Sequence, residues 1–336
     1  MNKLLSSQLL ILILLSSYLP GQSEIKTHKK VLKLMGTRFE IISVTKNKVL
    51  AQKSIDAAIN EIVRIEKLIS SWDENSQTSK INRNAGINPV NVDKELFQLI
   101  KRSKKISTLT NGIFDISFAS LDKIWKFDGS MSKLPDELDM IKSVSKINFK
   151  NIILDENELT VFLISKGMKI GFGGIGKGYA ANKAKKIMQE LGIANGVVNA
   201  SGDLNAWGKQ EDGKEWGIAI TDPNNKDKNI AWLNISDKSV VTSGNYEKFA
   251  VIDGKNYTHI INPITGMPIS GTKSVTIISN DAEFGDALST SVFILGEQHG
   301  IALVNKLKNV ECILVNSQNE LITSNGIDLN YINVDK

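Results

Sequence analysis

A single cysteine, Cys312, stands in 336 residues, so no internal disulfide can form, and its run Cys312-Ile313-Leu314-Val315 reads as a buried strand with a small hydrophobe in it. There is no Cys pair, no paired-His metal motif and no Gly-x-Ser-x-Gly, which removes zinc-cage and serine-elbow chemistry. Basic blocks are also missing. The net charge of +5 comes from 41 Lys and Arg scattered among 36 Asp and Glu, without aromatics interleaved, so the pattern argues against a nucleic-acid partner. No repeat of fixed period and no linker rich in Pro, Gly and Ser interrupts the chain, which reads as one compact unit with two lobes.

Long apolar runs are confined to the start. Lys3 precedes an apolar stretch that includes residues 9–15, and Pro20, Gly21 and Ser23 follow, the order of a secretory signal peptide over residues 1–23. That run is short for a membrane span, and an uncleaved anchor is the alternative reading. The expectation is therefore an exported, periplasmic protein over residues 24–336, with peripheral or no membrane contact and no cysteine for a lipid anchor.

Hydrophobic spacing predicts an α+β fold. Residues 31–44 read as strands broken at Met35-Gly36-Thr37, and Ile55, Ile59, Ile62, Ile65 and Ile69 recur at helical spacing. A second helix is expected over 93–107 and a helix start at Pro135-Asp136-Glu137, with strands at 151–154 and 159–164. Short strands follow from residue 196 to 278, and helices are expected over 286–295 and 299–307.

The stretch Lys169 to Ala180 is a glycine-rich loop with Lys177 among its glycines, leading into an amphipathic segment over 179–191. Glycines permit tight turns and close backbone approach, and a helix N-terminus offers N–H groups to an anion, so the loop suits a phosphate or diphosphate. Gly171-x-Gly173-x-x-Gly176 imitates a dinucleotide fingerprint but lacks the acid that should follow roughly 20 residues on. Read from Gly171 to Lys177 it imitates a P-loop, but Gly178 stands where Ser or Thr should bind magnesium. The loop is a phosphate cradle or a packing turn.

Three further segments carry polar chemistry. Asp286 and Thr290 stand one helical turn apart, either as oxygen ligands for Mg²⁺ or as a helix cap. His28 and His299 read as solvated, whereas His259 lies near a strand end before Asn262-Pro263 and Thr265-Gly266, as a structural histidine or a general base. Asn199 to Asp203 and Thr242 to Glu247 place polar turns at strand ends.

In order, these segments resemble the ApbE family of flavin transferases. The matching residues are Met35-Gly36-Thr37, Ser71-Trp72, Phe114-Asp115 and Gly173 to Ala180. They continue with Asn199 to Asp203, Thr242 to Glu247, His259 to Pro263 with Thr265-Gly266, and Asp286 to Thr290. The resemblance implies a T-fold-like α+β architecture and magnesium-dependent transfer of FMN from FAD, through a phosphoester bond, to a threonine or serine of an exported or membrane-bound redox protein, with AMP released. It implies Asp286, Thr290 and the carbonyl of Gly174 as Mg²⁺ ligands, and Lys177 at the diphosphate. It also implies Met35, Trp72, Phe114, Asp115 and Ile260 around FAD, and His259 as base or positioner for the acceptor hydroxyl. Many relatives carry aspartate where this chain has Gly171. The rival readings are a FAD pyrophosphatase and a flavin-binding protein without turnover; a nicotinamide dehydrogenase fails on the missing ribose acid.

Overall fold

A computed structural model describes residues 24–121, 124–245 and 249–327, so the signal-peptide segment and Tyr246-Glu247 lie outside the described residues. The first half contains β1 (Lys26–Leu34), β2 (Thr37–Thr45), α1 (Lys48–Ile69), α2 (Gln77–Arg83), β3 (Val90–Asn91) and α3 (Lys94–Leu109). Next come a 3₁₀ turn (Ile116–Leu121), α4 (Glu137–Val144), β4 (Ile152–Asp155), β5 (Thr160–Leu163) and α5 (Gly176–Glu190). The second half adds β6 (Asn195–Ala200), β7 (Asp203–Trp207), β8 (Trp216–Asp222), β9 (Asn225–Ile235) and β10 (Lys238–Gly244). It closes with β11 (Phe249–Ile252), β12 (Lys255–Thr258), β13 (Thr272–Ser279), α6 (Ala282–Val304), β14 (Glu311–Asn316) and β15 (Leu321–Thr323).

Eight strands form one sheet in the order β1-β2-β6-β7-β10-β13-β14-β15, every neighbour antiparallel. Alternation along each strand sends side chains to two different layers. Phe39 and Ile41 of β2, Val198 of β6 and Val241 of β10 face the core beneath α1 and α5. Their neighbours Val44, Val197 and Val240 join Trp216 and Ile235 of the β8–β9 hairpin, which covers the opposite face. Cys312 is buried beneath α6 with Val275, Ile277 and Leu288, as its apolar run implies. The α+β expectation is met.

Local chemistry explains most boundaries. Met35 (φ 49) and Gly36 (φ 74) both adopt left-handed backbone in the tight β1–β2 turn. Asp136 caps α4 by accepting from the N–H groups of Leu138 and Asp139. Gly296 (φ 71) breaks the helical path inside α6, matching the two helices expected from the sequence.

Other elements differ from expectation. α5 begins at Gly176, so Lys177 and Gly178 sit in its first turn rather than in the loop before it. Residues 74–91 are mostly polar in sequence and carry no apolar periodicity, yet α2 forms there, a helix whose cap Ser76 accepts from Ser79 N–H. The strand before the histidine ends at Thr258, whose Oγ1 accepts from Ile260 N–H as the chain turns away. His28 is half-buried on β1 rather than solvated, with Nε2 buried and unpaired.

The three-stranded sheet, β3-β5-β4, extends the same core, and α3 contributes Leu96, Phe97, Leu99 and Ile100 to it. Glu95 of α3 ties α1 to α5, meeting Arg64 at 2.8 Å, Lys183 at 3.1 Å and the Tyr179 hydroxyl. Burial alone would raise its carboxyl, but these partners outweigh that and hold it at about 2. A depressed acid stabilises the fold above its unfolded pKa and loses that contribution as pH falls through the folded value. Glu95→Gln should therefore cost about 1 kcal/mol at pH 7, after allowance for solvent screening. The gap from wild type should close between about pH 5 and pH 2 in denaturant melts; a gap independent of pH would show that the charge contributes nothing.

Candidate active site

The glycine-rich loop is pinned at its apolar residues and open at Gly173. Ile170, Phe172 and Ile175 are buried, and the Asn82 side chain bonds both the N–H and the carbonyl of Ile170, at 2.7 and 3.0 Å. Between these anchors Gly173 is exposed, and a Cβ built on Gly174 would lie 3.7 Å from Thr290 Oγ1 and 3.8 Å from the Phe114 ring. The loop thus meets α6 at the residue implied by the resemblance.

Gly178 is what allows that meeting. A Cβ there would stand 2.0 Å from the carbonyl oxygen of Ala282, so α5 and α6 touch backbone to backbone. Across this contact Asp286 Oδ2 accepts from Gly178 N–H at 3.1 Å. Asp281, not Asp286, caps α6, so Asp286 is free of the capping role and instead satisfies an N–H at the head of α5.

Charge gathers at the same point. Lys177 Nζ is hydrogen-bonded to Asp203 Oδ2 and lies 3.7 Å from Asp286 Oδ1. Burial first, then the Asp286 carboxylate, pushes Asp203 well above the usual carboxylate range, while Lys177 pulls it down. On α6 Ser289 Oγ bonds Ser243 Oγ of β10 at 2.8 Å, with Thr290 Oγ1 at 3.5 Å from the same hydroxyl. Among the described residues two acidic side chains face this ammonium, and a cation bound beside them would favour the ionised form of both. Carboxylate, hydroxyl and carbonyl oxygens are the ligands Mg²⁺ takes. The residues therefore fit the ion, although among the described residues no three His, Cys, Asp or Glu side chains cluster as a cage.

Beside the loop lies a cleft of about 1110 Å³, lined by Trp72, Arg83, Phe118, Phe127, Lys169 and His259 among others. Ser71 and Ala119 also line it, and both approach Gly171, whose Cβ would meet them at 3.7 and 3.1 Å. The loop therefore joins the cleft to the charged cluster. Trp72 is 80% exposed and presents a broad aromatic surface. His259 is held edge-on to Phe127, centroids 6.4 Å apart, and Trp125 stacks on Phe127 while donating to the Gly266 carbonyl at 2.9 Å.

Lys177, Gly174, Asp286, Thr290 and Phe114 come together around the loop, and Met35 joins them, its Cε 3.6 Å from a Cβ built on Gly176. Trp72 and His259 share the cleft. The side chains of two expected FAD contacts are engaged within the fold. The Asp115 carboxylate accepts from the N–H and hydroxyl of Ser117 and from Phe149 N–H, which ties down the loop behind Phe114. The Ile260 side chain is buried with Val292 and Leu314 in the core under α6. Asp203, given no separate role by its turn motif, is a full member of the cluster; its place in β7, on the same side as Asn205 and Trp207, is the sequence signal that points to it.

The model of the ApbE family matches residues 35–314, which contain every element just described. The chain belongs to the ApbE family. Among relatives in this family, the FAD:protein FMN transferase of Klebsiella pneumoniae (strain 342) is 32% identical over 276 residues, covering 82% of this chain and 85% of that protein. The FAD:protein FMN transferase of Treponema pallidum (strain Nichols) is 27% identical over 326 residues, covering 91% and 89%. The crystal structure of the ApbE protein of Thermotoga maritima superposes with a TM-score of 0.83 at 30% identity, covering 89% of this chain and 97% of that one. The flavin transferase ApbE of Vibrio cholerae has the same fold, with a TM-score of 0.78 at 23% identity over 90% and 98% of the two chains.

Proposed function

We propose that this chain is an exported, periplasmic FAD:protein FMN transferase. It moves FMN from FAD to a threonine or serine hydroxyl of an exported or membrane redox protein, with Mg²⁺ bound, and releases AMP. The observation that carries this reading is the convergence of Lys177, Asp286, Thr290 and the Gly174 loop on one helix head that adjoins an aromatic cleft. The names of the relatives support it.

Asp286, Thr290 and the Gly174 carbonyl would hold Mg²⁺, which supplies Lewis-acid stabilisation of phosphoryl oxygens when bound. The head of α5 and Lys177 face the diphosphate, where the helix N-terminus and the ammonium both favour negative charge. Trp72 offers a stacking face to a FAD ring. Met35 and Phe114 border the loop beside it. Asp115 acts on FAD through the loop it ties down, and Ile260 through its backbone beside His259. His259 takes the proton from the acceptor hydroxyl. That oxygen bonds to the FMN phosphorus as the phosphorus–oxygen bond to AMP breaks, and AMP leaves with the electron pair.

The test incubates the protein with FAD, Mg²⁺ and an acceptor peptide bearing one threonine, followed by mass spectrometry. Covalent FMN on the peptide, with AMP in equal amount, is the expected result. Free FMN and AMP with unmodified peptide would identify a pyrophosphatase instead, and FAD surviving intact would identify a flavin-binding protein.

A further inference from the structure

The chemistry proposed above leaves Asp203 without a task, yet its side chain is only 1% exposed and is the most buried charged group of the cluster. It opens β7 directly after Ser201 (φ 55) and Gly202 (φ 104). The turn is tied on both sides: Gly202 N–H donates to Asn199 Oδ1 at 3.0 Å, and the Gly202 carbonyl accepts from Thr242 N–H at 3.3 Å. Alternation turns Asp203, Asn205 and Trp207 toward the helices. Asn205 bonds Asn182 and Lys185 of α5 at 2.8 and 3.0 Å, so β7 is stitched along that helix and Asp203 arrives at its head.

A carboxylate this deeply buried costs several kcal/mol in desolvation unless it is paired. Its partner is Lys177, and the same ammonium lies 3.7 Å from Asp286. Asp286 is also the carboxylate assigned above to the cation. An ammonium drawn onto Asp286 would settle where the cation must go. One anchored on Asp203 can leave Asp286 and still remain at the head of α5.

We propose that Asp203 is a positioning residue that holds the Lys177 ammonium on the β7 side of the helix head, which leaves the Asp286 carboxylate open to a divalent cation. This inference rests on the metal reading of Asp286.

Mg²⁺ binding to the nucleotide-free protein, measured by calorimetry across a double-mutant cycle, tests it. Asp203→Asn should weaken Mg²⁺ binding by at least ~10-fold, about 1.4 kcal/mol. In the acceptor-peptide assay the Mg²⁺ concentration for half-maximal rate should rise accordingly, with kcat at saturating Mg²⁺ within about threefold of wild type. In a Lys177→Met background, where no ammonium competes, adding Asp203→Asn should leave Mg²⁺ affinity within about twofold. Direct attraction between Asp203 and the metal would weaken binding in both backgrounds and would overturn the proposal. So would an Asp203→Asn protein that binds Mg²⁺ like wild type. A wild-type protein that takes up no Mg²⁺ would overturn the metal reading and this inference together. If Asp203→Asn fails to fold, the comparison of Lys177→Met with the double variant still decides: equal affinity supports the proposal, and weaker binding by the double variant sinks it.

Discussion

Asp286→Ala is expected to lower Mg²⁺-dependent FMN transfer by more than ~100-fold, roughly 2.7 kcal/mol of barrier. Among the described residues the carboxylate meets Gly178 N–H at 3.1 Å and Lys177 Nζ at 3.7 Å, with the Asp203 carboxyl close by. Removing it takes away the one charged ligand of the proposed metal set and also the acceptor at the head of α5. These two losses separate in Asp286→Asn, whose side-chain oxygen can still accept from Gly178 while its charge is gone. That variant should melt within a few degrees of wild type and remain nearly as inactive as the alanine variant. Near-normal magnesium-dependent turnover in either protein would rule out the metal assignment. Loss of activity in the alanine variant alone would make Asp286 a helix cap and nothing more.

Gly178→Ala should be the most damaging of the small substitutions, against the trend of helix propensity. In an ordinary helix interior, alanine is favoured over glycine by about 1 kcal/mol. At this position the added methyl would stand 2.0 Å from the Ala282 carbonyl oxygen and 2.9 Å from Asp286 Cβ. Neither obstacle is a flexible side-chain end, so α5 must retreat from α6, and overpacking of this kind costs roughly 3 kcal/mol or more. The retreat also parts Lys177 from Asp286. Thermal melting should show a clear drop in midpoint, and Mg²⁺ uptake by whatever folded protein remains should weaken with it. A variant that melts at or above the wild-type temperature would mean that the two backbones are not in contact there.

How much of this was legible beforehand depended on the range of each interaction. Helical spacing of Ile55, Ile59, Ile62, Ile65 and Ile69 is a local pattern, and α1 follows it closely. The turn at Met35-Gly36 and the cap at Asp136 are likewise decided within a few residues. The start of α5 was harder to read. Its first turn, Gly176-Lys177-Gly178, has poor intrinsic propensity, and the bond from Gly178 N–H to Asp286, 108 residues away, supports it from outside. α2 was hidden for a related reason: only Ser79 and Ile81, with Thr78, turn inward from a polar segment.

By itself, the sequence determined the family, through an ordered set of short motifs, and the chemical types available to the site: a lysine among the glycines of a loop, one acid and one hydroxyl a helical turn apart, one histidine before an Asn-Pro turn. It did not decide which of them meet. Asp203 joins Lys177 because an antiparallel hairpin alternates its side chains toward the helices. The Asp115 carboxylate is spent on Ser117 and Phe149, because a buried carboxylate must be hydrogen-bonded by whatever donors the fold brings near. Those outcomes belong to tertiary structure, since they depend on contacts between residues far apart in the chain and on which groups lose their water.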